Sequence, residues 1–271
     1  MIKLRFPNKQ YDGSYEVSGV ELNIQGEIMK GLLYFPPERF SKPYPLIIYF
    51  HGFPQLFSLQ DIVKKEQFLL EKGYSLLVCN FRGYRYSEGT ISLKSHYKDG
   101  LKLVEFVQKM SKKGIFEIQN LNILAHDFGG YVALLISAQT DFINKSLLLF
   151  PILDLSKHIQ QEGFLQQLEY IKRFLPGNIR GIENIGEFIK KTKEELKNPQ
   201  YQINEAVKVL KLTKLKIIIG KEDKLTSLEE VEEIFKESNK NPEIIALKNI
   251  GHQTENSDQD RLVNDEIQKF F

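Results

Sequence analysis

Residues 122–135 read NILAHDFGGYVALL. An apolar run ends in Ala125-His126-Asp127-Phe128-Gly129-Gly130, and a second apolar run follows at once. The pattern predicts a buried strand, a sharp turn with small neighbours, and a helix from Phe128 to Gln139. Where such a turn presents a nucleophile it is written G-x-S-x-G. Here the central residue is Asp127. The turn would aim its side chain into a cleft, and the next amide, of Phe128, lies near a helix N-terminus, where N–H groups favour negative charge. An N-cap is the competing role for Asp127, since aspartate is common there. The stretch alone leaves both open.

The surrounding chain has a matching rhythm. YEVSGVELNI and EIMKGLLYF, split at Gly26, predict an N-terminal antiparallel hairpin. After the Pro-rich connector PPERFSKPYP come strand LIIYF (46–50), a helix from Ser58 to Lys72, strand SLLVCNF, a helix from Leu93 to Met110, strand LNILA, the helix after Asp127, and strand SLLLF (146–150). Aliphatic runs alternating with helices imply a mainly parallel sheet buried on both faces. Residues 153–212 carry three helical stripes and no strand: Phe164, Leu168, Ile171, Leu175; then Ile185, Phe188, Ile189; then Ile203, Ala206, Val207, Leu210. Strand LKIIIG (215–220), a helix from Ser227 to Ser238, strand EIIAL and a helix from Asp258 to Phe271 complete the chain. The expected architecture is an α/β core of residues 1–152 and 213–271 around an eight-stranded sheet. A helical lid, 153–212, follows the sixth strand. Long insertions of this kind are usually functional, although added core helices are the alternative.

Composition narrows the function classes. The 271 residues are 42% hydrophobic and 27% charged, with 37 basic against 35 acidic residues and a net charge of +2. That is ordinary globular composition, and no basic clustering marks a nucleic-acid footprint. The lysine pairs 64–65, 112–113 and 190–191 fit solvated helix faces. No apolar run approaches a membrane span, and residues 1–14 show no apolar leader segment, so a cytoplasmic location is expected. The single cysteine, Cys79, sits in an apolar run and is expected to be a buried small hydrophobe. The five histidines show no ligand spacing and no phosphate-cradling glycine loop is present, so no metal or other cofactor is implied. Oligomeric state is not written in the sequence.

Two further sites join Asp127. In GKEDKLTS, Asp223 follows the strand ending at Gly220; in LKNIGHQTENS, His252 follows the last strand. A turn aspartate or a loop histidine is unremarkable singly. Together, elbow residue 127, acid 223 and histidine 252 come in the order Ser, Asp, His takes in one hydrolase architecture, each at the C-terminal end of a strand. Asp154, after strand 146–150, is a second candidate for the orienting acid. The loop HGFP (51–54) can aim the Phe53 amide at the turn and form an oxyanion hole with that of Phe128, with His51 beside the substrate.

HGFP, NFRGYRYSEG (80–89), AHDFGGY (125–131), GKEDK (220–224) and GHQ (251–253) together resemble the α/β-hydrolase superfamily over essentially the whole chain. HGFP and HDFGG look like epoxide hydrolases and haloalkane dehalogenases, whose elbow nucleophile is aspartate. NFRGYRYSEG with FGGY looks more like carboxylesterases and prolyl-oligopeptidase-type peptidases, whose elbow carries serine. HGFPQ (51–55) is similar to dehalogenases of fluorinated acids, but their elbow arginine is Phe128 here. The chain has no tryptophan, the usual halide donor of haloalkane dehalogenases.

An ionised aspartate needs no base before it attacks. At an ester or amide carbonyl it would give an anhydride while expelling a worse leaving group. At a saturated carbon it gives a stable alkyl ester, which His252, oriented by Asp223, can hydrolyse by activating water. The resemblance implies an epoxide hydrolase-like enzyme on a small apolar molecule, with two lid tyrosines, here Tyr170 and Tyr201, as acids. Two alternatives stand beside it. One is an esterase or peptidase scaffold whose serine is replaced by Asp127. The other is a non-catalytic binding protein of the same fold. Arg82 is expected to pair locally and so hold its loop.

Overall fold

The computed structural model describes residues 2–4 and 8–271. The reading of 1–14 as free of a leader falls partly outside them. Among the described residues, no helix is long and apolar enough to cross a membrane.

Ten strands form one sheet: β1 (Ile2–Leu4), β2 (Gln10–Asp12), β3 (Tyr15–Ile24), β4 (Glu27–Tyr34), β5 (Tyr44–Phe50), β6 (Ser75–Asn80), β7 (Phe116–His126), β8 (Ile143–Leu149), β9 (Lys214–Gly220) and β10 (Glu243–Leu247). Their order is β1-β3-β4-β6-β5-β7-β8-β9-β10, with β2 paired to β3. The expected eight strands are all present. The two additions, β1 and β2, are three-residue strands, too short to show a period of two in sequence. β3 and β4 make the expected hairpin, β4 meets β6 antiparallel, and every pair from β6 through β10 is parallel.

Alternate residues of the central strands feed two cores. Leu46, Ile48, Phe50, Ile123, Ala125 and Leu148 face α3 (Leu93–Ser111) and α4 (Phe128–Gln139). Ile47, Leu76, Val78, Leu124 and Leu149 face α1 (Leu59–Lys65), α2 (Phe68–Glu71) and α10 (Ser257–Phe270). Coverage on both faces is why these strands read as continuous apolar runs. Every residue of β6 is buried, Cys79 included.

The predicted helix 58–72 is two helices. α1 ends at Glu66, whose side chain turns inward; Gln67 then starts α2. Between β8 and β9 come α5 (Leu155–His158), α6 (Glu162–Phe174), α7 (Ile185–Glu195) and α8 (Ile203–Ala206), before α9 (Leu228–Phe235). The third stripe is therefore a single α turn flanked by 3-10 turns, because it packs on α4 as core. The Tyr131 hydroxyl donates to Tyr201 O at 2.6 Å there.

The loop between α6 and α7 clasps the loop after β6. Arg180 N donates to Gly83 O (2.8 Å), Ile91 N to Arg180 O (2.9 Å) and Arg85 N to Asn178 O (2.9 Å). The Arg180 guanidinium donates to the carbonyls of Gly89, Arg85 and Ser87. Beneath it, Arg82 pairs with Asp99 at 2.6 Å and Glu27 at 2.7 Å, so it holds its loop as expected, but through distant partners.

Candidate active site

Asp127 sits between β7 and α4 at φ 54°, ψ −125°. A non-glycine residue there costs on the order of 1–3 kcal/mol, so its surroundings must hold it. Its N–H donates to Leu149 O (3.0 Å), and its carbonyl accepts from Gly130 N (2.9 Å) and Ile152 N (3.2 Å). The turn passes so close to β5 that any side chain at Gly129 would overlap the Phe50 carbonyl. Glycine is required by contact.

The Asp127 carboxylate makes no helix-capping bond. Oδ2 accepts from Phe53 N at 2.9 Å, and Oδ1 lies 3.4 Å from His252 Nε2. His252 Nδ1 is 2.9 Å from Asp223 Oδ2. The other oxygen of Asp223 accepts from Leu225 N (2.8 Å) and Thr226 N (3.2 Å), which fixes the carboxylate. The loops after β7, β9 and β10 thus bring the three predicted residues into one chain of contacts.

His252 faces a carboxylate on each nitrogen. Burial of the ring opposes its charge, but the hydrogen bonds and charges of Asp127 and Asp223 outweigh that, and its pKa is pushed up to about 9. Burial likewise works against an ionised Asp223, yet His252 and the two amides leave its pKa below the usual carboxylate value.

The Phe53 amide is in place as an anion donor. The Phe128 amide, first in α4, lacks an intrahelical acceptor by position. His51 is not beside the substrate. It is 1% exposed; Nδ1 lies 2.9 Å from Gly52 O and Nε2 accepts from Phe81 N at 3.2 Å. A carbonyl can only accept, so Nδ1 carries the proton and the ring is neutral. Burial lowers its pKa to about 4. Its task is to fix the loop that carries the Phe53 amide.

Asp154 is not the orienting acid. It caps α5 by accepting from Lys157 N at 2.8 Å. Neither predicted tyrosine reaches the cleft. Tyr170 is 56% exposed on α6 beside Phe174, and Tyr201 is buried against Tyr97. A helical stripe shows that a tyrosine is amphipathically placed, not that it faces the nucleophile.

Asp127 and His252 open onto a cleft of about 940 Å³. Sequence reasoning missed His158 and Gln167 on its α5–α6 side, Gln55 in the loop after β5, and Tyr49, Glu66 and Asn264 at its inner end. No motif surrounds these residues; only tertiary packing gathers them. Among the described residues, no group of three or more His, Cys, Asp or Glu side chains could hold a metal ion.

The family described as "alpha/beta hydrolase fold" matches residues 45–149, which run from β5 through the elbow to β8. No curated protein matches the chain. Acetyl xylan esterase 1 from Thermoanaerobacterium sp. JW/SL YS485 is 15% identical, with a TM-score of 0.69 over 99% of this chain and 86% of that one. Est1E from Butyrivibrio proteoclasticus is 17% identical, with a TM-score of 0.68 over 93% and 96%. The α/β hydrolase GrgF from Penicillium sp. sh18 is 19% identical, with a TM-score of 0.65 over 93% and 96%. Identities this low speak to the fold. With the sheet order, the elbow at residue 127 and the matched segment, the chain has the α/β-hydrolase fold.

Proposed function

We propose that the protein is a hydrolase in which Asp127 attacks a saturated, electrophilic carbon of a small molecule and His252 then activates water to release the product. One observation carries this reading: the two oxygens of Asp127 have different surroundings. Oδ2 is held by the Phe53 amide, and Oδ1 faces His252 and the cleft.

In the first step Oδ1 bonds to the carbon, and the leaving group departs with the bonding electron pair. Oδ2 becomes the carbonyl oxygen of the alkyl ester, already seated on the donor that the second step needs. In that step His252 takes a proton from water and the hydroxide attacks the ester carbonyl carbon. The oxyanion forms on Oδ2; on collapse the leaving alkoxide takes a proton from the imidazolium and departs as the alcohol, and the new carboxyl group returns its proton to His252, which restores the carboxylate.

The electrostatics supply a timing device. In the resting site His252 is an imidazolium, kept so by two carboxylates. Esterification removes the Asp127 charge. Burial then works against the remaining charge, and the ring can lose its proton and become a base.

With Tyr170 and Tyr201 turned from the cleft, the epoxide form lacks its expected acids, so a group that departs with only hydrogen-bond assistance is favoured. The side-chain amides of Gln55 and Gln167 face the cleft and could supply it. In this reading segment 153–212 acts as the lid, reaching the cleft through His158 of α5 and Gln167 of α6.

A second reading has its own support. Oδ2 occupies the anion donor that an ester substrate would need, and two of the similar structures are named as acetyl xylan esterases. On that reading Asp127 stands where a serine once acted, and Asp127→Ser gains activity on short esters. The deciding measurement is the intact mass of His252→Gln after exposure to mixed haloalkanes and epoxides. A covalent adduct mapping to Asp127 is expected. An unmodified mass with every compound, together with esterase activity in Asp127→Ser, would transfer the assignment to the second reading.

A further inference from the structure

The cleft does not end at Asp127. On the side of α1 and α10 it is also lined by Tyr49, Glu66, His126, Val263 and Asn264, which together make up its inner arm. Glu66, at the end of α1, is 3% exposed, and its Oε2 is buried with no hydrogen-bond partner. Asn264 Oδ1, on α10, is also buried and unpartnered. The adjacent lysine is already committed: Lys65 Nζ lies 3.0 Å from Asp260.

Buried polar groups in native proteins are almost always hydrogen-bonded, and an orphaned one is costly. Two orphaned acceptors in the lining of one substrate-sized cleft therefore describe the kind of group they would receive. It must donate. It must not be anionic: burial already pushes the Glu66 carboxyl up to about 7, and an anion beside it would push it further. A hydroxyl has one proton and satisfies one acceptor; a primary ammonium has three, enough for both, and its charge holds Glu66 ionised against its burial.

We propose that the inner arm is a specificity subsite for a primary ammonium group on the substrate, received by Glu66 and Asn264 while the reacting carbon lies at Asp127. The occupant is an aliphatic amine whose electrophilic carbon is separated from the nitrogen by a short apolar stretch along Tyr49 and Val263. This placing of the carbon rests on the nucleophilic reading of Asp127; the ammonium subsite itself is tested by binding alone.

The probes are n-hexylammonium and its neutral counterpart 1-hexanol, measured by titration calorimetry at neutral pH on the wild-type protein, Glu66→Gln, Asn264→Leu and Asp127→Asn. The wild type should bind hexylammonium at least about tenfold more tightly than hexanol, as a charge-assisted hydrogen bond would give. Glu66→Gln should erase that preference and Asn264→Leu should reduce it. Asp127→Asn should keep it, which separates the inner arm from the reacting carboxylate. Equal binding of the two probes by the wild type overturns the proposal, as does a preference that survives Glu66→Gln or disappears only in Asp127→Asn. None of these outcomes depends on turnover, so a failed covalent-adduct experiment leaves this result readable.

Discussion

At φ 54° the Asp127 backbone is held by hydrogen bonds to β8 and to the segment just after it, and its side chain is left free of any capping duty. That resolves the ambiguity of the opening stretch: an N-cap aspartate would spend its carboxylate on the helix, whereas this one spends it on Phe53 N and His252. The placement also depends on an empty volume. A methyl group at Gly52 would overlap the Asp127 carboxylate. Gly52→Ala should therefore displace that carboxylate without disturbing either core. Turnover should fall by roughly a hundredfold, the usual effect of misplacing a reacting group by about an ångström, while thermal melting shifts by only a few degrees. A variant of normal activity would mean that the carboxylate position is unimportant, contrary to the mechanism. Heavy-oxygen water provides a second residue-scale check. On the proposed mechanism hydroxide attacks the Asp127 carbonyl, so a single turnover should place the label in the Asp127 peptide and leave the product alcohol unlabelled. Label in the product would point to direct attack by water.

The elements differ in how readily they can be read from the sequence. The strands from β3 to β10 and the helices between them announce themselves because sheet burial on both faces makes long aliphatic runs, and β10 (Glu243–Leu247) coincides with its sequence expectation. Asp127, Asp223 and His252 were legible for the same reason: each follows a recognisable strand. Features that depend on which way a helix faces were not. Tyr170 and Tyr201 sit on apolar stripes that could equally have covered the cleft; packing on α4 and exposure on α6 took them elsewhere. The break after α1 was hidden because no proline or glycine marks it. His51 looked like a ligand-facing residue but is consumed by two backbone hydrogen bonds. The Arg180 clasp was invisible as well, since its acceptors are carbonyls, which carry no residue identity. It joins the α6–α7 loop to residues 83–91 of the core. Arg180→Ala should loosen that junction: amide exchange in residues 178–191 should accelerate, and kcat/KM should fall while melting changes little. Unchanged exchange would show that apolar contacts of α6 and α7 suffice to hold the segment.

At the level of the whole molecule, one contact chain ties together the loops after β7, β9 and β10, so its charge state is linked to folding. The folded pKa of His252 is about 9, above its unfolded value near 6.5. The imidazolium therefore contributes stability in full below about pH 6.5 and loses it as pH rises toward 9. Asp223, lowered, contributes above its ordinary value near 3.8 and loses that contribution as pH falls. The pair is strongest between about pH 4 and 6.5. Other groups bend the total curve: His126 and His158 in the cleft are lowered by burial, and Glu66 is raised to about 7 by the same cause. The informative quantity is thus the melting difference between wild type and His252→Gln. It should be greatest near pH 6 and shrink steadily to pH 9. Asp127→Asn extends the argument to mechanism, because its neutral amide imitates the charge of the esterified nucleophile. Without the Asp127 charge, the His252 titration followed by NMR should move well below 9, toward the range where imidazole acts as a base at neutral pH. If His252 titrates alike in both proteins, esterification cannot be what releases the proton, and the ring must already be neutral when water attacks.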